Sequence, residues 1–140
     1  MSDSDAREPL SVVQTFYANL QSAETLPAAL ALLDENFVLH SPRALPWGGD
    51  YTGPAGFIEL RTKLRALVSP ENDAEIEYIP AGNHVLVRAP GGRFRSVITG
   101  ESAPTAVAEI FEVRDGRIVD MDIYYKDYAA VSAVATDSER

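Results

Sequence analysis

A glutamate set among large apolar side chains is the first feature of this sequence that could do chemistry. In the run 105–114, strand alternation puts Val107, Glu109, Phe111 and Val113 on one face and Ala106, Ala108, Ile110 and Glu112 on the other. Burying a lone carboxylate is expensive. Glu109 therefore pairs with a cation such as Arg88 or Arg95, reaches water near a strand end, or stays protonated. A protonated glutamate in an apolar pocket is a hydrogen-bond donor suited to stabilising an enolate. Tyr17 lies on the apolar stripe of the first helical segment, and a buried phenol needs a partner for its hydroxyl. A pocket acid is one such partner; an ordinary core aromatic is the alternative.

His40 and Ser41 are adjacent at a strand end, so their side chains point to opposite faces, which excludes a Ser–His nucleophile pair. His40 is a candidate general base because an imidazole titrates near neutrality, and a histidine bonded to backbone at a strand–loop junction is the alternative. Asp120 and Asp122 fall with Ile118 and Tyr124 on one face of the last strand, opposite Val119, Met121, Ile123 and Tyr125. That parity takes the two aspartates out of a pocket. Trp47, within Leu45-Pro-Trp-Gly-Gly49, reads as a pocket rim or lid, or as a packing or dimer contact. Pro90-Gly-Gly92 is a turn and lacks the spacing of a phosphate loop.

The elements that must position these residues read as helices followed by strands, an α+β order. Helices are expected over 8–21, with Pro9 in the first turn, over 26–34 and over 54–68. The third should bury Phe57, Leu60, Leu64, Leu67 and Val68. A short strand is expected at 37–40, a loop at 41–52, and 69–73 ends the third helix. Strands follow at 74–79, 84–89, 93–99, 105–114 and 117–125, the last two joined by Asp115-Gly116, a strong hairpin signal. Residues 1–7 and 132–140 read as polar tails. The economical arrangement is a curved antiparallel sheet closed by three N-terminal helices, a cone with an internal pocket.

The composition sets limits. The 140 residues suit one domain, 1–140, with an ordered core of about 8–128. Twelve Lys and Arg against 21 Asp and Glu give a net charge of −9, unsuited to nucleic acid or an anionic membrane surface. The absence of cysteine excludes disulfides and thiolate chemistry, and two histidines without ligand spacing offer no transition-metal site. No apolar run is long enough to span a membrane and the N-terminus is polar and acidic, so a cytoplasmic protein is expected.

Several segments together resemble the nuclear-transport-factor-2-like superfamily, and within it the SnoaL-like and ketosteroid-isomerase-like branch. They are Val12-Val-Gln-Thr-Phe-Tyr-Ala-Asn-Leu20, Leu33-Asp-Glu-Asn-Phe-Val-Leu-His-Ser-Pro42, Leu45-Pro-Trp-Gly-Gly-Asp-Tyr-Thr-Gly53 and Ala108-Glu-Ile-Phe-Glu-Val-Arg-Asp-Gly-Arg-Ile-Val119. The resemblance covers about 8–128. It implies an oxyanion-hole tyrosine at Tyr17 and a neutral acid at Glu109. The isomerases' catalytic aspartate precedes a proline, and here Ser41 precedes Pro42. The cyclases' pocket aspartate aligns with Ile123, one residue from Asp122. His40 is left as the candidate base. The expected pocket wall comprises Phe16, Ser41, Trp47, Phe57, Val107, Phe111, Met121, Ile123 and Tyr125. The resemblance implies a small apolar or polycyclic ligand, no cofactor, and a homodimer through the face bearing Ile110, Ile118 and Tyr124. Isomerase or cyclase chemistry through an enolate, a non-catalytic binding or dimerisation module, and lyase or dehydratase chemistry are the readings it admits.

Overall fold

The computed structural model describes residues 8–135. Helix α1 (Pro9–Asn19) opens on Pro9, whose missing N–H costs nothing in a first turn. It buries Val12, Val13 and Phe16, with Tyr17 at the margin. Helix α2 (Leu26–Leu30) is shorter than its leucine spacing suggests. The chain leaves it because strand β1 (Leu33–Ser41) starts at once, with Leu33 in register with Ile118 and the Leu32 carbonyl accepting from the Ile118 N–H at 2.8 Å. Long-range pairing overrides local helix propensity here.

The segment expected as one loop contains strand β2 (Gly49–Thr52), antiparallel to β1. Helix α3 (Gly53–Arg65) follows, its first residue at φ +72°, which glycine adopts without strain. Gly56 lets α3 lie against β2, since a Cβ there would sit 2.9 Å from the Tyr51 carbonyl carbon. Phe57 and Leu60 are buried. Val68, expected in this helix, instead opens strand β3 (Val68–Asn72), and the segment read as a helix terminator is this strand. Pro70 is tolerated because β3 is the edge of its sheet.

Strands β4 (Glu77–Ala81), β5 (His84–Ala89), β6 (Gly92–Ser96), β7 (Ser102–Pro104), β8 (Val107–Arg114) and β9 (Arg117–Tyr125) complete two sheets. One has six strands in the order β2-β1-β9-β8-β5-β4, the other three in the order β3-β6-β7. All pairs are antiparallel except β1 with β9, which is parallel and corrects the expectation of a wholly antiparallel sheet. The fold class holds: α+β, a curved, mainly antiparallel sheet with packed helices. Asp115 (φ 54°) and Gly116 (φ 79°) form the left-handed turn the hairpin signal called for.

Two further expectations change. A fourth helix, α4 (Tyr128–Val134), follows the sheet and buries Val131 and Val134, so 132–135 belong to packed structure. The tails 1–7 and 136–140 lie outside the described residues. The second change is in β9. The β8–β9 register shifts between Glu112 and Val113, so that Val113 faces Ile118 while Glu112 faces Asp120. The extra residue, Val119, reverses parity, and Ile118 is fully buried rather than on the outer face. That face keeps Ile110 and the half-exposed Tyr124. Among the described residues no helix is long and apolar enough to cross a membrane.

Candidate ligand-binding pocket

Helices α1 and α3, the inner face of the six-stranded sheet, and strands β3 and β6 of the smaller sheet line a cavity of about 300 Å³ that is open on one side. Of the expected wall, Phe16, Phe57, Val107, Met121, Ile123 and Tyr125 line it, as do Tyr17 and Glu109. Ser41, Trp47 and Phe111 do not line it and are buried behind it. Trp47 is no lid: it has no exposed surface, and its indole N–H donates to the Tyr125 hydroxyl at 3.1 Å.

Glu109 sits in register between Val87 on β5 and Ile123 on β9. The cations that could have paired with it are engaged elsewhere, Arg88 with Glu77 and Arg95 with Glu71, each at 3.0 Å. Glu109 takes part in no side-chain hydrogen bond or ion pair among the described residues. What surface it keeps faces the cavity, and burial pushes its pKa up to about 7. Tyr17 packs edge-on against Phe16, Tyr78 and Phe111 at 5.8, 6.1 and 5.7 Å between ring centroids, and its buried hydroxyl has no partner. Burial holds the phenol of Tyr125 protonated; the hydrogen bond from Trp47 opposes this in part, and the charge of Glu109, when ionised, adds to it. Its oxygen accepts from Trp47, which leaves its own proton to donate. Alternation put Tyr125 in the pocket; its link to a tryptophan 78 residues earlier has no sequence signature.

The parity of β1 decides between its two candidates. Ser41 faces inward, its Oγ buried and unpartnered, and His40 faces outward, away from the cavity. The general-base role for His40 therefore loses its geometry. Its ring is held between two aspartates, Nδ1 3.0 Å from Asp50 and Nε2 2.8 Å from Asp120. Burial lowers its pKa, but the hydrogen bonds and charges of Asp50 and Asp120 outweigh this and raise it above the ordinary value of 6.5. A raised folded value means that the contribution is whole below the unfolded pKa of about 6.5 and is lost as pH rises through the folded one. His40→Ala should therefore destabilise more at pH 5.5 than at pH 8.5, as read by urea titrations at the two values; equal losses would contradict this reading.

Sequence reasoning missed the polar part of the wall: Arg61 and Arg65 of α3, Glu71 and Asn72 of β3, and Arg93 of β6. Among the described residues no three His, Asp or Glu side chains are gathered as a metal set. Away from that polar part of the wall the pocket is an apolar chamber whose polar groups are donors: two phenols, and a carboxyl that is largely neutral below pH 7.

The SnoaL-like domain model matches residues 13–121, and the chain belongs to the SnoaL-like family. Its fold is similar to that of an NTF2-like protein from Burkholderia xenovorans LB400 (TM-score 0.81, 22% identity, 92% of this chain and 96% of that one). It is also similar to a proposed polyketide cyclase from Pseudomonas putida KT2440 (TM-score 0.72, 18% identity, 91% and 98%). A third similar structure is TerC co-crystallised with polyporic acid (TM-score 0.65, 19% identity, 87% and 94%). At these identities the likeness is one of fold. No curated protein matches the chain in sequence.

Proposed function

We propose that the pocket binds a small apolar or polycyclic organic molecule through a carbonyl or phenolic oxygen that accepts hydrogen bonds from Tyr17 and Glu109. The observation that carries this is the pair of unpartnered polar groups in one apolar chamber, a phenol and a carboxyl raised to about 7. Unsatisfied buried groups are costly, and a ligand oxygen satisfies them. A proposed cyclase and a protein co-crystallised with polyporic acid, both of this fold, support an organic ligand.

The test is a panel of naphthol-like and steroid-like phenols. Tyr17→Phe deletes one hydroxyl and keeps the ring packing, and it should weaken binding of the phenolate form by about 1.5–3 kcal/mol, the value of a hydrogen bond to a charged group. Phenol binding unmoved by Tyr17→Phe would remove Tyr17 from the site.

One observation favours catalysis as a second reading. Glu109 is the one acidic group within the chamber that titrates near neutrality, as a proton-transferring acid or base requires. An isomerase or cyclase acting through an enolate would use it in place of the aspartates absent at Ser41 and Ile123. Deuterium uptake beside the carbonyl of a bound ketone, lost in Glu109→Gln, is the expected sign. No uptake above the buffer rate leaves a binding module.

A further inference from the structure

Helix α3 presents Phe57, Leu60, Arg61, Leu64 and Arg65 to the cavity. That spacing is the inward stripe of an amphipathic helix, yet two of its five positions are arginines, Arg61 partly buried and Arg65 exposed at the cavity's rim. Arg61 is half-buried, with its guanidinium carbon 5.9 Å from the centre of the Phe57 ring. No carboxylate among the described residues pairs with Arg61 or Arg65. The acids at hand are spent elsewhere: Glu59 on Lys63 at 3.2 Å, and Glu71 on Arg95. Burial, and then the like charge of Arg65, depress the Arg61 pKa, and no carboxylate among the described residues offsets the partial burial of this charge, which has only the face of the Phe57 ring beside it. Arg93 lines the same cavity, donating to the Ser102 hydroxyl at 2.9 Å. A chain with a net charge of −9 thus gathers three arginines around a chamber whose own acids are Glu71, already paired, and Glu109.

We infer that the pocket takes an amphipathic organic anion: an apolar ring system seated against Phe16, Phe57, Met121 and Ile123, with a carboxylate or sulfonate paired to Arg61 and Arg65. The inference rests on the reading of the cavity as an organic-ligand pocket and adds the charge of the ligand. Arginine suits this place because its planar fork meets such an oxyanion with two parallel hydrogen bonds while its face stays on an aromatic ring.

The test uses two probes with one ring system, 1-anilinonaphthalene-8-sulfonate and the neutral N-phenyl-1-naphthylamine. Binding is read from the methyl resonances of Met121 and Ile123, so adhesion elsewhere on the surface does not count. At low salt the sulfonate should bind roughly tenfold or more tightly than its neutral counterpart. Added salt should shrink that ratio, Arg61→Gln should bring it close to one, and Arg61→Lys should restore part of it. Equal affinities in the unmodified protein, or a ratio indifferent to both salt and Arg61→Gln, overturn the inference and leave the pocket reading standing. If neither probe moves the methyl resonances, the pocket reading itself fails. The salt series on the unmodified protein decides the matter even if Arg61→Gln does not fold.

Discussion

Trp47→Ala should lower the unfolding free energy by about 3–5 kcal/mol, the usual cost of emptying a large aromatic site in a core. The indole has no exposed surface. It packs against Phe94 at 6.2 Å between centroids and donates to Tyr125, and both partners line the cavity. Its backbone carbonyl accepts from the Tyr51 hydroxyl at 3.0 Å, which ties the 41–49 connection to β2. Against a typical total of about 5–15 kcal/mol, the loss endangers the fold itself. Trp47→Phe keeps a ring and should lose less than half as much. Urea titration followed by circular dichroism is the measurement, because Trp47 is the chain's one tryptophan and fluorescence disappears with it. An alanine variant within about 1 kcal/mol of the parent would show that the wall of the pocket does not depend on this side chain.

Glu109→Gln should change the pH dependence of stability more than any other single substitution. The folded pKa, about 7, lies above the ordinary 4.5. Between these values the unfolded chain has released its proton and the folded one has kept it, so the contribution is complete below pH 4.5 and is lost as pH rises to about 7. The shift corresponds to about 3 kcal/mol. The glutamine variant should therefore match the parent near pH 4.5 and be more stable by up to about that amount at pH 8. Substantial destabilisation by the amide at pH 8 would instead mean an ionised, paired Glu109, and the donor role would be withdrawn. Water entering the chamber draws the pKa back toward 4.5, whereas an apolar ligand that expels it pushes the pKa higher. Ligand binding near neutrality should then take up a fraction of a proton, visible as a buffer-dependent heat in calorimetry.

Period-2 alternation in β8 predicts the inward set Val107, Glu109 and Phe111, and the order of helices and strands along the chain predicts the α+β class. Alternation failed at Val119, because a bulge costs one residue and leaves no composition signal; Ile118 changed sides as a result. Ser132 to Ala135 reads as tail because a seven-residue helix made mostly of alanine and valine carries little periodicity, and only contact with the smaller sheet gives it a buried face. Arg61 and Arg65 were passed over for a different reason. They share the face of Phe57, Leu60 and Leu64, but those apolar residues alone define the helix's inward stripe, and an arginine beside them carries no sequence signal that tells a cavity from solvent.

The parallel pairing of β1 with β9 sets an order of events during synthesis. Val38, Leu39 and His40 find their partners in Asp120, Met121 and Asp122, so β1 emerges from the ribosome long before the strand that covers one of its edges exists. At roughly 5–20 residues per second, that interval lasts on the order of several seconds. Until β9 arrives, β1 has only β2 and α3 for shelter, and its free edge can pair with another chain. The two carboxylates that hold His40 come from opposite ends of this interval: Asp50 is made soon after it, Asp120 only with the closing strand. Chains interrupted before β9 should therefore be the aggregation-prone species, with a half-built chamber and an unsealed first strand.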